Sequence, residues 1–226
     1  MRVCVLYSGG KDSNLALLEA SERHEVVCLV TLVPSSLESW LFHYPNVNLV
    51  PLQAEALGLP LMLRRCPDDE AGSLVALERA LGEAVEFYGV EGVVTGAVKS
   101  RYQAERFAAV CRRLGLECIN PLWGRSEVEL LREVLRRRIE AIFTRVAGYP
   151  LSASLLGRKI DERVVEWLSG LAHIVNPSGE GGEYETFVLD MPLFNWRIEP
   201  VKWRVEGTDY DAVLIIESAE LRARRS

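Results

Sequence analysis

The chain has 226 residues, 49% hydrophobic and 26% charged, enough for one large or two small domains with a buried core. Its formal charge of -6 excludes a general basic coat for wrapping nucleic acid, and no apolar run approaches the roughly 20 residues needed to span a bilayer. Five cysteines (Cys4, Cys28, Cys66, Cys111 and Cys118) form no CxxC pair, which excludes a zinc or disulfide framework and points to reduced thiols. With no signal-peptide h-region ahead of the first strand, the expected location is cytoplasmic, away from any membrane.

Arg2 to Tyr7 is short, apolar and β-branched, as expected of a strand buried on both faces. Asp12 to Arg23 has the helical period, and Glu25 to Val33 is a second buried strand. Ser35 to His43 is a polar-aromatic connection, and Val47 to Leu57 reads as a helix ended by Gly58. Leu61 to Arg65 is a third strand, followed by a long helix, Asp69 to Tyr88, with Leu74, Leu77, Leu81 and Val85 on one side. Gly92 to Thr95 and Glu117 to Ile119 are short strands flanking a helix from Ser100 to Leu114. Alternating strands and helices predict an α/β domain with a doubly wound parallel sheet, Rossmann-like, whose strand C-termini share one edge.

After Pro121 the pattern changes. Ser126 to Arg138 is an amphipathic helix, Ala141 to Val146 a strand and Asp161 to Ala172 a helix. A Gly-rich stretch and the strand-like runs TFVLD, VKWRV and DAVLIIE follow. The expected division is 1–122 for the nucleotide-binding domain and 123–226 for a smaller α+β substrate-binding domain. Arg132, Arg136, Arg137 and Arg138 read as a solvated helix face paired with Glu127, Glu129 and Glu133 rather than as a nucleic-acid patch.

Ser8-Gly9-Gly10-Lys11-Asp12-Ser13 sits in the crevice at the carboxyl end of the first strand, where open α/β sheets bind ligands. Adjacent glycines let the backbone approach a ligand, the next helix offers unpaired N–H groups, and Lys11 adds a cation. Ser8 and Ser13 supply hydroxyls. A capped tight turn would need only part of this set. The dinucleotide fingerprint GxGxxG does not fit, and Asp12 stands where a Walker loop needs a hydroxyl. The hexapeptide resembles the phosphate loop of the ATP pyrophosphatase (PP-loop) superfamily, which implies cleavage of ATP to AMP and pyrophosphate. Thr31, closing the second strand, and Gly96, in Thr95-Gly96-Ala97, are then expected to line the nucleotide.

GEGGEYET, from Gly179 to Thr186, places Glu180, Glu183 and Glu185 within six residues. Carboxylates this dense repel unless a cation or donors compensate them, so the stretch suits Mg²⁺, a cationic substrate or a general base. NPSGEGGEYETFVLDMPLF and YSGGKDSNLAL together resemble the diphthine–ammonia ligase family. SWLFHYPN, QAEALGLPL, TGAVKSRYQAERFAAVCRRLGL, NPLW and LGRKID extend the similarity up to Phe194.

The resemblance implies amidation of the diphthine carboxylate on elongation factor 2, through an acyl-adenylate, with ATP, Mg²⁺ and free ammonia. It puts Ser8, Gly9, Gly10, Lys11, Asp12 and Ser13 on the pyrophosphate end, with Lys11 and Asp12 catalytic and Asp12 on the metal. Glu183 or Glu185 would accept a proton in the amidation. His43, Glu180, Gly182, Glu183, Tyr184, Glu185 and Thr186 would bind the acceptor, and Tyr184 or Trp196 suits its quaternary ammonium. Elongation factor 2 is the expected protein partner, no stable nucleic-acid partner is expected, and a homo-oligomer is left open by the sequence. Two other functions fit the PP-loop: amidation of another carboxylate, such as a corrinoid, and tRNA modification. The second is disfavoured, because no basic extension is present and Cys111 and Cys118 do not resemble a catalytic pair.

Overall fold

The computed structural model describes residues 1–34 and 46–224. In chain order the elements are β1 (Arg2–Leu6), α1 (Lys11–Ser21), β2 (Glu25–Pro34), α2 (Val50–Leu57), β3 (Leu61–Cys66), α3 (Glu70–Tyr88), β4 (Gly92–Val94), α4 (Arg101–Arg113) and β5 (Glu117–Ile119). Then come α5 (Glu127–Arg136), β6 (Glu140–Ala147), α6 (Glu162–Gly170), β7 (Tyr184–Asp190), β8 (Trp196–Gly207) and β9 (Asp211–Ala223). The chain divides into two compact units. One holds Met1–Ser8, Asp12–Tyr44 and Leu59–Trp123, and the other holds Gly9–Lys11, Pro45–Gly58 and Gly124–Ser226.

The first unit is the α/β part, a five-stranded parallel sheet in the order β3-β2-β1-β4-β5. Its strands are apolar on both faces because helices cover both, so Val3, Cys4, Val5, Val93 and Val94 have no exposed surface. Strand order reverses at β1 and β4, and the crevice opened by such a reversal is where ligands enter this architecture. The core beneath α3 and α4 gathers Leu77, Leu81, Ala84, Phe107 and Val110 around Cys4, Val30 and Val93. The buried stripe of α3 uses Ala80 and Ala84 beside Leu77 and Leu81, while Val85 lies on its open margin. Small residues allow the helix to sit close to the sheet. Asp69 caps α3 by accepting from Gly72 N at 2.8 Å, and Ser100 caps α4 by accepting from Gln103 N at 3.4 Å.

The second unit is built on an antiparallel sheet in the order β7-β6-β9-β8. Phe143, Tyr184, Phe187 and Ile216 fill its core. The segment expected as one helix from Val47 to Leu57 is a 3₁₀ turn, Val47–Leu49, followed by α2. Pro51 accounts for the break, since a proline without an N–H fits the first positions of an α-helix and not its interior. Asn46 ties this segment down: its Nδ2 donates to Leu214 O at 2.9 Å and its Oδ1 accepts from Ile216 N at 2.7 Å. On α5, Arg132 pairs with Glu129 while Arg136 and Arg137 pair with Glu133, as a solvated face should.

β8 and β9 form a longer hairpin than VKWRV and DAVLIIE imply. The added lengths, 196–200 and 218–223, carry Arg197, Glu199, Glu220 and Arg222, and Arg222 pairs with Glu199 across the strands there. The turn depends on Gly207, whose φ is +114° and where an added Cβ would lie 2.2 Å from Asp211 O. Gly207→Ala is expected to lower stability by about 1–3 kcal/mol. It should shift the urea midpoint down, and an unchanged midpoint would show that the turn relaxes without cost.

Candidate active site

β1 ends at Leu6 and α1 begins at Lys11, so the chain turns through Ser8, Gly9 and Gly10, with Gly9 at φ +82°. In the first unit, Ser8 and Ser13 close the turn on itself: Ser8 N and Ser8 Oγ both donate to Ser13 Oγ, at 3.3 and 3.1 Å. Thr31 Oγ1 donates to Tyr7 O at 2.6 Å, which fixes the end of β1. Thr95 Oγ1 donates to Asn120 Oδ1 at 2.5 Å and accepts from Ala97 N at 3.2 Å, holding the turn after β4. Gly96 in that turn faces the start of α1, and a Cβ there would lie 3.0 Å from both Asp12 C and Ser13 N. The missing side chain at Gly96 therefore admits the backbone of the loop's last two residues. Gly96→Ala is expected to raise the KM for ATP about tenfold by pushing that backbone out of place, since small misplacements of a site are amplified in its function. An unchanged KM would show that the contact is slack.

Gly9, Gly10 and Lys11 are held within the second unit, by residues far along the chain. Gly9 O accepts from Val188 N at 3.0 Å and from Gln53 Nε2 at 2.9 Å. Lys11 N donates to Thr186 Oγ1 at 3.0 Å, and Lys11 Nζ donates to Ser178 O at 2.5 Å while lying 5.1 Å from the centroid of the Tyr184 ring. Lys11 is only 3% exposed, so a carbonyl and an aromatic face stand in for the water it has lost. Tyr184 is itself buried, with its hydroxyl donating to Pro177 O at 2.7 Å and its ring edge-on to Phe143 at 4.9 Å. The two glycine-rich stretches thus meet through Lys11, Ser178, Tyr184 and Thr186.

Within the second stretch, Glu183 Oε1 accepts from Asn176 N at 3.0 Å, and Glu183 Oε2 is buried with no hydrogen-bond partner among the described residues. Gly181 makes room for that carboxylate, since a Cβ there would lie 2.7 Å from Glu183 Oε1. Glu185 stands opposite Arg145 in the β7–β6 register, and Glu180 and Gly182 lie in the turn before β7. Glu180, Glu183 and Glu185 are all partly exposed, whereas Thr186 is buried. His43 lies outside the described residues. Trp196 opens β8 and is half-exposed.

Two residues of this cluster carry almost no sequence signature of it: a glutamine on a helix ordinarily faces water, as Gln53 does not, and Ser178 contributes its carbonyl rather than its side chain. The one sign of Gln53 was its place on the apolar face shared with Val50 and Ala54. The thiols of Cys111 and Cys118 do meet, in the first unit. The Cys111 S–H donates to Cys118, and with Asn120 it holds Cys118 down to about 7, against the cost of burial.

Asp12 was expected to touch a metal. Among the described residues no three His, Cys, Asp or Glu side chains gather into an all-protein cage. Among the described residues no helix is long and apolar enough to cross a membrane.

Residues 1–118 match the family described as Diphthamide synthase N-terminal domain, and residues 126–221 match Diphthamide synthase C-terminal domain. The chain is 37% identical over 223 residues to the Diphthine--ammonia ligase of Rattus norvegicus, covering 88% of this chain and 82% of that protein. Its identity to the Homo sapiens protein of the same name is 35% over 223 residues, with the same coverage of 88% and 82%. The Danio rerio counterpart is 36% identical over 222 residues, covering 88% of this chain and 86% of its own length.

Proposed function

This chain belongs to the diphthamide synthase family, and we propose that it is a ligase that uses ATP to join ammonia to the diphthine carboxylate of elongation factor 2. The observation that carries this is the hydrogen bonding of Gly9–Lys11 to Ser178, Thr186 and Val188, which brings the phosphate-type loop and the carboxylate-rich loop into one cluster. A nucleotide held by the first loop would then present its α-phosphate near the groups of the second.

The chemistry divides into two displacements. A carboxylate oxygen of the acceptor attacks the α-phosphorus of ATP, the bond to the bridging oxygen breaks, and pyrophosphate leaves. Ammonia then attacks the acyl carbon, AMP leaves, and the nitrogen gives up a proton as the amide forms. Backbone N–H groups at the start of α1, the hydroxyls of Ser8 and Ser13, and the Lys11 ammonium stabilise the charge gathering on the departing pyrophosphate. Mg²⁺, held by the phosphates and Asp12, would add further charge neutralisation there. Thr31 and Gly96 act indirectly, by fixing the end of β1 and the start of α1.

Glu183 is the proton acceptor for the amidation. Its Oε2 has no hydrogen-bond partner among the described residues, and bulk water is kept from it. Glu185, with Arg145 across the strand, and Glu180 serve the acceptor's positive charge instead. Tyr184 supports Lys11 and is too deeply buried to receive a second cation.

The test is an incubation of the protein with ATP, Mg²⁺, ammonium and elongation factor 2 bearing diphthine. AMP release with replacement of the carboxylate hydroxyl by an amine, read by mass spectrometry of the factor, is the expected result. AMP release only with a different carboxylate would move the assignment to another amidation.

A further inference from the structure

Gln53 has no exposed surface, and its side chain is spent entirely on backbone. Nε2 donates to Gly9 O at 2.9 Å and to Val188 O at 2.8 Å, using both hydrogens of the amide. The same Gly9 O also accepts from Val188 N at 3.0 Å. Both side-chain contacts are to carbonyls, so the amide group can sit only with its nitrogen toward them. Its Oε1 is then left buried and without a hydrogen bond, close to Gly9, where an added Cβ would be 2.3 Å away. A buried amide oxygen left unpaired is costly and calls for a reason.

The reason lies in the loop's peptide geometry. In a trans peptide the carbonyl and the next N–H point in opposite directions. Turning Gly9 O toward Gln53 and β7 therefore turns the Gly10 N–H the other way. It also removes a negative dipole end that would repel a phosphate. Val188 N alone supplies one bond to Gly9 O, and Gln53 adds the second and locks it to the neighbouring carbonyl. We propose that Gln53 is a positioning residue for ATP: through Gly9 O it fixes the peptide between Gly9 and Gly10 in the orientation that receives phosphate. The inference rests on the assignment of Ser8–Ser13 as the ATP phosphate loop.

The test uses the full chain with Gln53→Met, which keeps the volume and removes both donors, and Gln53→Glu, which sets a carboxylate against two carbonyls. Amide exchange at Gly10, Lys11 and Val188 is measured without nucleotide, beside thermal stability and steady-state ATP kinetics. The expected result for Gln53→Met is about tenfold faster exchange at those amides, with α3 unchanged, and an ATP KM raised about tenfold with a much smaller change in kcat. Gln53→Glu should exceed it in both. Should Gln53→Glu fail to fold, the near-isosteric Gln53→Met still decides. Unchanged exchange at the loop overturns the inference, as does a loosened loop with an unchanged ATP KM. If ATP leaves the loop amides of the wild-type chain unaffected, the phosphate-loop assignment itself falls, and the inference falls with it.

Discussion

Lys11→Ala is expected to lower the rate of AMP formation by about 10²–10³-fold, the usual loss when one preorganised donor to a developing anion is removed. Lys11 is buried, and its ammonium rests on Ser178 O at 2.5 Å and over the Tyr184 ring. Both contacts attract the cation without neutralising it, since a carbonyl and an aromatic face carry no formal charge. The ammonium is therefore held in place at the start of α1. Arginine does not substitute, because a planar fork cannot sit where a compact ammonium fits between Ser178 and Tyr184. The measurement is AMP release at saturating ATP, beside a thermal melt that should show a folded protein. A folded variant with unchanged turnover would remove Lys11 from the catalytic set.

Glu183→Gln separates the two half-reactions. The amide keeps an oxygen to accept from Asn176 N, so the turn before β7 should persist, but the proton acceptor at Oε2 is gone. ATP binding and pyrophosphate release in the first step are expected to stay within about threefold of wild type, while amide formation falls by about 10²–10⁴-fold, the range typical of a lost general base. Pyrophosphate exchange reads the first step, and mass spectrometry of the factor reads the second. Equal losses in both would mean that Glu183 holds the site together rather than moving a proton. A normal yield of amide would transfer the role to Glu185.

Much of the α/β part was legible because its strands are buried on both faces and its helices on one. Those burial patterns leave periods of their own, visible from Arg2 through Ile119. The phosphate-type loop was legible for a related reason, since glycine, lysine and hydroxyl residues cluster between a strand and a helix for few other purposes. Local pattern could not show which unit the loop belongs to. Gly9–Lys11 are fixed by Ser178, Thr186 and Val188, and hydrogen bonds across so long a separation leave no periodic trace. Gln53 was hidden by its chemistry: a residue type that usually faces water is here buried because two backbone carbonyls need donors. The length of the β8–β9 hairpin was hidden for the opposite reason, because charged residues, with Arg222 paired to Glu199 across the strands, carry it beyond the apolar run that ends at Glu217.

The division of Gly9–Lys11 from the residues on either side also bears on how such chains can be recombined. The two family domains abut between residues 118 and 126, and a splice between relatives would naturally be made there. Such a hybrid would take its glycine turn from one parent and the carbonyl, hydroxyl and strand that hold it from the other. The turn is seated by Ser178 O, Thr186 Oγ1 and the Val188 amide, so a partner with β7 displaced by one residue would set Gly9 and Lys11 against the wrong face of that strand. The natural exchange unit in this architecture is therefore the turn together with β7 and the helix bearing Gln53, and inheritance of the parts should be correlated even though the chain carries them far apart.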